Sequence, residues 1–188
     1  MTKAILLDRD GTINVDEGYT HKIENLEFEQ GAIKGLKTLQ DLGYKLIIIT
    51  SQSGIGRGKY TEEQYQTFMQ EMYKRLGVEG IKIETDYFCP HHPEKAIGKY
   101  KKDCNCRKPK TGMLEQSVKD FNLEISRCWA IGDKMSDIEM GQRGGCRTVL
   151  VLTAKAGKEE KANPDIKPDY TAQNLEEAAN YIKNESQN

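Results

Sequence analysis

The sequence predicts an α/β fold in which a parallel sheet carries helices on both faces. Three observations predict it: short runs of consecutive apolar residues, apolar residues at helical spacing between those runs, and polar or glycine-containing segments at their ends. A run with no polar face is typical of a strand buried on both sides, as strands in parallel sheets are. Alternation of such strands with helices over 188 residues predicts one domain, residues 1–188, with a doubly wound sheet.

The strands are predicted from the apolar runs, beginning with Ala4, Ile5, Leu6 and Leu7. Four consecutive apolar side chains leave no polar face for water, so the run belongs in the interior of a sheet. The five predicted strands are 4–7, 46–50, 83–88, 128–131 and 148–152.

Helices are predicted between these strands. Apolar residues recur at helical spacing in 33–42, and Gly43 stands where a left-handed C-terminal cap is expected. Thr61 and Gln64 form a capping box that opens a helix ending by Gly77. Further helices are predicted at 112–121, 138–143 and 175–183, the last with Asn174 as its N-cap.

Composition narrows the class of protein. The 28 basic and 29 acidic residues give a formal net charge of −1, so no strong field favours nucleic acid or an anionic membrane. No apolar stretch approaches the roughly 18 residues of a membrane span, and five cysteines without an export signal disfavour a disulfide framework. We expect a soluble, cytoplasmic protein, and a monomer, because no long amphipathic or heptad segment offers an interface.

Two carboxylates leave the carboxyl end of the first strand. Asp8 and Asp10 lie at positions i and i+2, which project to the same side of an extended chain, and Gly11 lets the backbone turn away. Two close carboxylates repel each other unless a divalent cation neutralises them or one of them is protonated. A strand followed by an ordinary polar turn is the alternative interpretation.

Polar residues also follow the second strand. They are Thr50, Ser51, Gln52 and Ser53. Hydroxyls, an amide and free backbone N–H groups suit an anionic phosphoryl oxygen. The segment alone is a weak signal, because many polar loops have this composition.

Two further strand ends supply charge. Asp133 and Asp137 follow the fourth strand with Lys134 between them, while Arg107 and Lys108 end the long loop after the third strand. Asp137 is equally typical of the first turn of a helix, and a basic pair is equally typical of a solvated loop. Because the carboxyl ends of parallel strands form one edge, we expect these groups beside the first pair of carboxylates.

Together these residues favour phosphoryl transfer. Asp8 is placed to attack phosphorus and form an aspartyl-phosphate, and Asp10 to act first as acid and then as base. Magnesium, which prefers oxygen ligands, is expected on Asp8, the Asp10 carbonyl and Asp133. Lys108 and Thr50 are expected to hold the transferring group.

The four segments resemble the motifs of the haloacid dehalogenase-like (HAD-like) superfamily of phosphatases. They are 8–12, Thr50, Lys108 and 133–137, in the order found in that superfamily. The resemblance extends from about residue 5 to residue 152. It implies a HAD-like Rossmannoid sheet, and the short segments between the motifs leave no room for the separate cap domain of many relatives.

A second signal is a set of metal-ligand residues within 89–108. Cys89, Cys104 and Cys106 with one imidazole make a closed tetrahedral zinc set, which is typical of structural rather than catalytic zinc. Either His91 or His92 could reach the metal, and the resemblance selects His91. Zinc would order a polar loop and so place the basic pair that follows it. A reduced loop with incidental cysteines is the alternative.

The zinc loop and the magnesium motifs together resemble a subgroup that contains heptose bisphosphate phosphatases and histidinol-phosphate phosphatases. The segment 13–19 is closer to the heptose enzymes. That resemblance implies magnesium-dependent hydrolysis of the 7-phosphate of D-glycero-D-manno-heptose 1,7-bisphosphate, in the synthesis of lipopolysaccharide precursors. Ser51 stands where relatives commonly carry Asn, which leaves the anomer open. The implied substrate contacts are Asp16, Glu17, Gly18, Tyr19, Thr50, Ser51, Gln52, Ser53, Arg107 and Lys134.

Three alternatives stay open. A histidinol-phosphate phosphatase would use the same machinery and differ in the substrate loop. A phospho-accepting signalling module also combines aspartates, a threonine and a lysine on a parallel sheet, but its phosphorylated aspartate follows the third strand. A binding protein that kept the fold and lost activity is the third, and retention of both Asp8 and Asp10 argues against it.

Overall fold

A computed structural model of the chain describes residues 2–154 and 165–186. Its strands form one six-stranded sheet in the order β3-β2-β1-β4-β5-β6, and every neighbouring pair is parallel. The strands are β1 (Ala4–Leu7), β2 (Lys45–Ser51), β3 (Ile83–Cys89), β4 (Trp129–Gly132), β5 (Arg147–Val151) and β6 (Tyr170–Ala172). The five predicted strands are confirmed to within one residue at each end. Strand β6 was not predicted, because three residues at a sheet edge are too few to show a pattern.

Helices connect the strands, as the fold prediction requires. They are α1 (Ala32–Asp41), α2 (Ser53–Gly56), α3 (Glu62–Val78), α4 (Gly112–Phe121), α5 (Met135–Gly144) and α6 (Leu175–Glu185). The capping box is confirmed, since Gln64 N donates to Thr61 Oγ1 at 3.2 Å and Thr61 N donates to Gln64 Oε1 at 2.9 Å. Helix α5 begins three residues before the predicted 138, because the Asp137 carboxylate accepts the Lys134 N–H at 3.1 Å and caps it.

The two faces of the sheet are buried under different helices. Ile5 and Leu7 of β1 belong to the core formed with α1, α3 and α6, whereas Ala4 and Leu6 belong to the core formed with α4 and α5. Side chains therefore alternate between the two cores, as the two-residue period of a strand dictates. This confirms helices on both faces.

The order of the strands makes β1 central, with β2 on one side and β4 on the other. The connection from β1 to β2 and the connection from β4 to β5 therefore run in opposite directions across the sheet, and they leave a crevice at the carboxyl ends of β1 and β4. The residues after β1, β2 and β4 border this crevice. Within residues 2–154 and 165–186, the helices are all too short or too polar to cross a membrane.

Candidate active site

The site begins where β1 ends. Asp8 is buried, and its N–H donates to the Ile131 carbonyl at 2.9 Å, so the residue stays attached to β4. Gly11 then turns the chain at a φ of +81°, and a Cβ atom at this position would lie 2.7 Å from Asp133 Oδ2. Only glycine combines that conformation with so close an approach. The turn brings the carboxylates after β1 and β4 together.

Lys108 lies near the end of the long loop between β3 and α4, and its side chain extends into the site. Its ammonium lies 2.8 Å from Asp8 Oδ1 and 2.5 Å from Asp137 Oδ1, and it donates to the Ile49 carbonyl at 2.9 Å. Burial alone lowers the pKa of Lys108, but the Asp137 and Asp8 carboxylates raise it above its ordinary value. Lys108 is therefore a fixed positive charge beside Asp8.

The same contacts keep Asp8 ionised. Burial raises the pKa of this carboxyl, but Lys108 and Lys134 outweigh it and lower the pKa to about 2. A carboxylate with that pKa carries its charge throughout the neutral range. Asp8 thus has the ionisation state that a nucleophile requires.

Three buried carboxylates meet in front of Lys108. One oxygen each from Asp8, Asp133 and Asp137 lies within 4.8 Å of the other two. Asp137, which the sequence left as a possible helix-start residue, is thus part of the cluster, and burial raises its pKa to about 6. A side chain at Gly132 would overlap Asp137, so the glycine makes room for it. The spacing of four after Asp133 was the one sequence signal for Asp137.

A second ammonium lies against the oxygens predicted to bind magnesium. Lys134 Nζ is 3.2 Å from Asp133 Oδ1, 3.5 Å from Asp8 Oδ2 and 3.4 Å from the Asp10 carbonyl oxygen. Burial lowers the pKa of Lys134, but the Asp8 and Asp133 carboxylates raise it well above its ordinary value. The Lys134 ammonium thus lies among three oxygens of residues that follow β1 and β4. The donor set is all oxygen, which is the set that hard divalent cations prefer.

Asp10 is held by a network of donors on both carboxyl oxygens. Oδ1 accepts from Arg9 Nε at 3.0 Å, Arg9 Nη2 at 2.7 Å and Asn14 Nδ2 at 3.1 Å. Oδ2 accepts from Arg9 Nη2 and from Gln52 Nε2, both at 2.9 Å. Arg9 is fully buried, and its guanidinium lies 4.7 Å from the centre of the Phe68 ring. Asp10 therefore has a defined orientation in front of Asp8.

A cavity of about 330 Å³ opens over these groups. Its described lining holds all but one of the residues implied to bind substrate. The exception is Glu17, an exposed residue whose carboxylate accepts from Asn25 Nδ2 at 2.9 Å. Tyr60 and Ser136 also line the cavity and were not predicted. The predicted residues in the lining are Asp8, Asp10, Asp16, Gly18, Tyr19, Thr50, Ser51, Gln52, Ser53, Arg107, Lys108 and Lys134.

The segment 16–19 forms one rim of the cavity. Asp16 Oδ1 accepts the Gly18 N–H at 2.9 Å, and Tyr19 has a φ of +58°, which is unusual for a residue with a side chain. The Tyr19 hydroxyl accepts from Arg57 Nη1 at 3.0 Å. Arg57 was not predicted, because nothing in its sequence context links it to this rim.

The four residues predicted to bind zinc converge. The sulfur of Cys106 lies 3.0 Å from that of Cys89 and 3.1 Å from that of Cys104, and His91 Nδ1 lies 3.2 Å from Cys106 Sγ. All four ligand atoms lie within 4.8 Å of one another, and the cysteines are free thiols. His92 Nδ1 instead accepts the backbone N–H of Glu94 and that of Lys95. Three sulfurs and one imidazole nitrogen are a donor set that fits tetrahedral zinc.

The fold matches those of known phosphatases. Residues 105–178 match the HAD-hydrolase-like family. The D,D-heptose 1,7-bisphosphate phosphatase of B. bronchiseptica, solved with magnesium and phosphate, superimposes with a TM-score of 0.84 over 98% of this chain and 99% of that one. The two sequences are 23% identical, so this comparison shows a shared fold.

Two relatives found by sequence comparison have a higher sequence identity to this chain. The D-glycero-beta-D-manno-heptose-1,7-bisphosphate 7-phosphatase of Haemophilus ducreyi is 39% identical over 96% of this chain and 98% of its own length. The D-glycero-alpha-D-manno-heptose-1,7-bisphosphate 7-phosphatase of Photorhabdus laumondii is 44% identical over 86% of this chain and 88% of its own length. The chain therefore belongs to the D-glycero-D-manno-heptose-1,7-bisphosphate 7-phosphatase family of HAD-like hydrolases.

Proposed function

We propose that this protein is a magnesium-dependent phosphatase that removes the 7-phosphate of D-glycero-D-manno-heptose 1,7-bisphosphate, a step toward lipopolysaccharide precursors. The observation that carries the proposal is the buried pair of Asp8 and Lys108 at the floor of the cavity, with Asp8 Oδ1 2.8 Å from the ammonium. An ionised carboxylate with a fixed cation beside it is suited to attack a phosphoryl group.

The chemistry divides into two displacements. A carboxylate oxygen of Asp8 forms a bond to phosphorus, the bond from phosphorus to the sugar oxygen breaks, and Asp10 gives its proton to that oxygen. Asp10 then takes a proton from water, whose oxygen attacks phosphorus and releases inorganic phosphate and free Asp8. Lys108 and Thr50 hold the phosphoryl oxygens during both steps. Each step thus leaves Asp10 in the protonation state that the next step needs.

The carboxylates fit a divalent cation. Asp8 and Asp133 would hold magnesium together with either the Asp10 carbonyl oxygen or Asp137. Oxygens of Asp8, Asp133 and the Asp10 carbonyl already surround the Lys134 ammonium. Carboxylate oxygens of Asp8, Asp133 and Asp137 lie within 4.8 Å of one another. Magnesium supplies positive charge that offsets repulsion between the Asp8 carboxylate and the phosphate. Lys134, whose ammonium now contacts three of these oxygens, is free to turn toward a phosphate when they bind a metal.

The cavity suits a bisphosphate. Its lining includes Arg107 and Lys134, two cations beyond the one that faces Asp8. An open cleft discriminates shape poorly, so charge must supply much of the affinity, and these residues can grip a second phosphate. The names of the relatives include both anomers of the same sugar bisphosphate, which supports this substrate class for the present chain.

We propose that Cys89, His91, Cys104 and Cys106 bind a structural zinc ion. Four ligands leave no open position, so the ion would have no catalytic role. The last ligand directly precedes Arg107, whose Nη1 donates to the His91 carbonyl at 3.4 Å. Zinc would thereby fix the loop that carries both Arg107 and Lys108 into the site.

Residues 1–188 would act as one domain and as a monomer in the cytoplasm. The reducing cytoplasm keeps thiols in the form that zinc requires, which supports that location. Sedimentation velocity would measure the oligomeric state.

The test is phosphate release with magnesium from each anomer of D-glycero-D-manno-heptose 1,7-bisphosphate and from histidinol phosphate. Asp8→Asn serves as the blank. Asp103→Asn serves as the matched control, because Asp103 is exposed and pairs with Lys110 outside the cavity. We expect wild type and Asp103→Asn to favour a heptose anomer and Asp8→Asn to release no phosphate. Preference for histidinol phosphate would overturn the substrate, and turnover by Asp8→Asn would overturn the mechanism.

A further inference from the structure

Within residues 2–154 and 165–186, the Asp10 carboxylate accepts hydrogen bonds from three side chains, and one of these lies on the cavity side. Arg9 and Asn14 hold Asp10 from the protein side, whereas Gln52, which donates to Asp10 Oδ2 at 2.9 Å, lines the cavity. Gln52 is therefore the partner that shares the substrate's side of Asp10. The direction of its amide affects how Oδ2 faces the leaving oxygen.

The orientation of the Gln52 amide depends on Tyr60. The Tyr60 hydroxyl donates to Gln52 Oε1, which leaves the Gln52 NH₂ group to donate to Asp10 Oδ2 and, at 2.8 Å, to Thr50 Oγ1. Gln52 is 2% exposed, so water is a poor substitute for these three partners. The reversed amide would place the acceptor Oε1 against Asp10 Oδ2 and would remove the N–H donor that now orients that oxygen. The phenol thus selects the amide orientation in which Gln52 donates to Asp10 Oδ2.

Tyr60 is itself fixed. Tyr60 is 5% exposed, and its ring stacks on the His21 ring with centroids 4.6 Å apart and planes 11° from parallel. On another side a Cβ atom at Gly54 would overlap the Tyr60 ring, so the glycine allows the ring to pack against the backbone. Burial raises the pKa of Tyr60 well above its ordinary value, so the phenol keeps its proton and remains a donor.

We propose that Tyr60 is a positioning residue for the reaction, which acts through Gln52 to direct Asp10 Oδ2 toward the leaving oxygen. The proposal rests on the acid/base role proposed above for Asp10. An acid must lie within about 2.6–3.2 Å of the oxygen that it protonates, so a misdirected carboxyl slows that step. In the steps up to transfer of the phosphoryl group to Asp8, the contribution should appear only where the leaving oxygen needs a proton.

The first test compares Tyr60→Phe with wild type on two substrates. With a sugar phosphate the leaving alkoxide must be protonated, whereas p-nitrophenolate departs from p-nitrophenyl phosphate without a proton. The ratio kcat/KM reports steps up to transfer of the phosphoryl group to Asp8. We expect kcat/KM of Tyr60→Phe to fall about 10-fold on the sugar phosphate, through kcat, and to stay within about two-fold on p-nitrophenyl phosphate.

The matched control is Tyr87→Phe. The Tyr87 hydroxyl donates to Asp120 Oδ2 at 2.6 Å, and the ring packs against the other face of the sheet, so this variant also loses a hydrogen bond from a tyrosine hydroxyl, but away from Asp10. We expect it to keep wild-type rates on both substrates. Equal losses on the two substrates in Tyr60→Phe, or no loss on the sugar phosphate, would overturn the proposal.

A double-mutant cycle tests the route through Gln52. Gln52→Met keeps roughly the volume of the side chain and removes the amide, with its hydrogen bonds to Tyr60, Asp10 and Thr50. If Tyr60 acts through Gln52, Tyr60→Phe causes no further loss of kcat/KM in the Gln52→Met protein. The proposal would be overturned if the fold-losses of kcat/KM in Tyr60→Phe and Gln52→Met multiplied in the double variant, because the two residues would then act independently.

A readout without turnover separates this inference from the proposed function. The Gln52 side-chain NH₂ resonances in an ¹⁵N spectrum should move in Tyr60→Phe and stay in place in Tyr87→Phe. Unmoved resonances in Tyr60→Phe would refute the positioning role even if the protein proved inactive on every phosphate ester. If the resonances move and wild type hydrolyses neither substrate, the proposed function fails and the Tyr60–Gln52–Asp10 coupling stands.

Discussion

Replacing Lys108 with Met should destabilise the protein far more than replacing an exposed lysine with the same kind of ion pair. Lys108 Nζ lies 2.8 Å from Asp8 and 2.5 Å from Asp137, and its side chain is 3% exposed. Met keeps most of the apolar stem and removes the charge. Two buried carboxylates and the Ile49 carbonyl then lose a donor.

The size of the effect follows from burial. Removing one partner of a buried ion pair costs about 3–5 kcal/mol, because the other charge stays buried without compensation. Lys134, 3.5 Å from Asp8, still offsets part of that charge, so we expect a loss of about 3 kcal/mol at pH 8. Lys110→Met is the matched control. Lys110 lies 2.5 Å from Asp103, but its side chain is 40% exposed and that of Asp103 is 73% exposed, so solvent screens the pair and the loss should be below about 1 kcal/mol.

The loss should also depend on pH. A carboxyl with a raised pKa in the folded state stabilises the protein at low pH, and that stability disappears as pH rises through the folded-state pKa. Burial already raises the pKa of Asp137 to about 6, and Lys108 is one of the groups that lower it. Removing Lys108 therefore shifts proton uptake to higher pH, and the loss should be smaller at pH 5 than at pH 8.

The assay is urea unfolding followed by circular dichroism in magnesium-free buffer at pH 5 and pH 8. We expect Lys108→Met to lose several times more free energy of unfolding than Lys110→Met, with the larger loss at pH 8. A loss below about 1 kcal/mol for Lys108→Met at pH 8 would show that Lys108 does not act as a buried ion-pair partner, because it would place that ammonium in a solvent-like environment.

Three further predictions follow from single contacts. Cys106→Ser should lower both the zinc content, measured by mass spectrometry, and Tm, whereas Cys128→Ser should keep the zinc content because Cys128 lies outside the cluster. An unchanged zinc content in Cys106→Ser would exclude Cys106 as a ligand. Arg107→Met should raise KM about 10-fold for a sugar bisphosphate and leave KM for p-nitrophenyl phosphate nearly unchanged, because only the bisphosphate has a second phosphate for Arg107 to bind. Equal effects on both substrates would show that Arg107 does not bind the second phosphate. Thr61→Ala should cost about 1 kcal/mol in urea unfolding through loss of the N-cap of α3, and an unchanged stability would show that the cap contributes nothing.

Much of the fold, and the convergence of many candidate site residues on one cavity, could be predicted, because those features depend on neighbours in sequence. The run 4–7 has no polar face, and Asp8 and Asp10 follow it directly. Parallel strands then force the residues after β1, β2 and β4 to one edge. The convergence of Asp8 with Lys108, one hundred residues away, follows from that rule together with the position of the long loop.

The rest depends on contacts that no local pattern records. Asp137 reads as the start of α5, and its place in the carboxylate cluster depends on the close approach that Gly132 allows. Tyr60 lies in a loop before α3, and its link to Gln52 depends on how that loop folds over the cavity. Glu17 shares a segment with residues that line the cavity, but its side chain turns to Asn25. Side-chain direction on a rim is set by tertiary contacts.

The proposed mechanism requires that Asp8 becomes phosphorylated during turnover. The most direct measurement mixes the protein with magnesium and D-glycero-D-manno-heptose 1,7-bisphosphate, quenches the reaction with acid within one turnover, and maps the peptides by mass spectrometry. We predict that the peptide containing Asp8 gains the mass of one phosphoryl group, which then disappears as phosphate is released. Phosphate release without any phosphorylated Asp8 peptide would rule out the aspartyl-phosphate mechanism, because water would then attack the substrate directly.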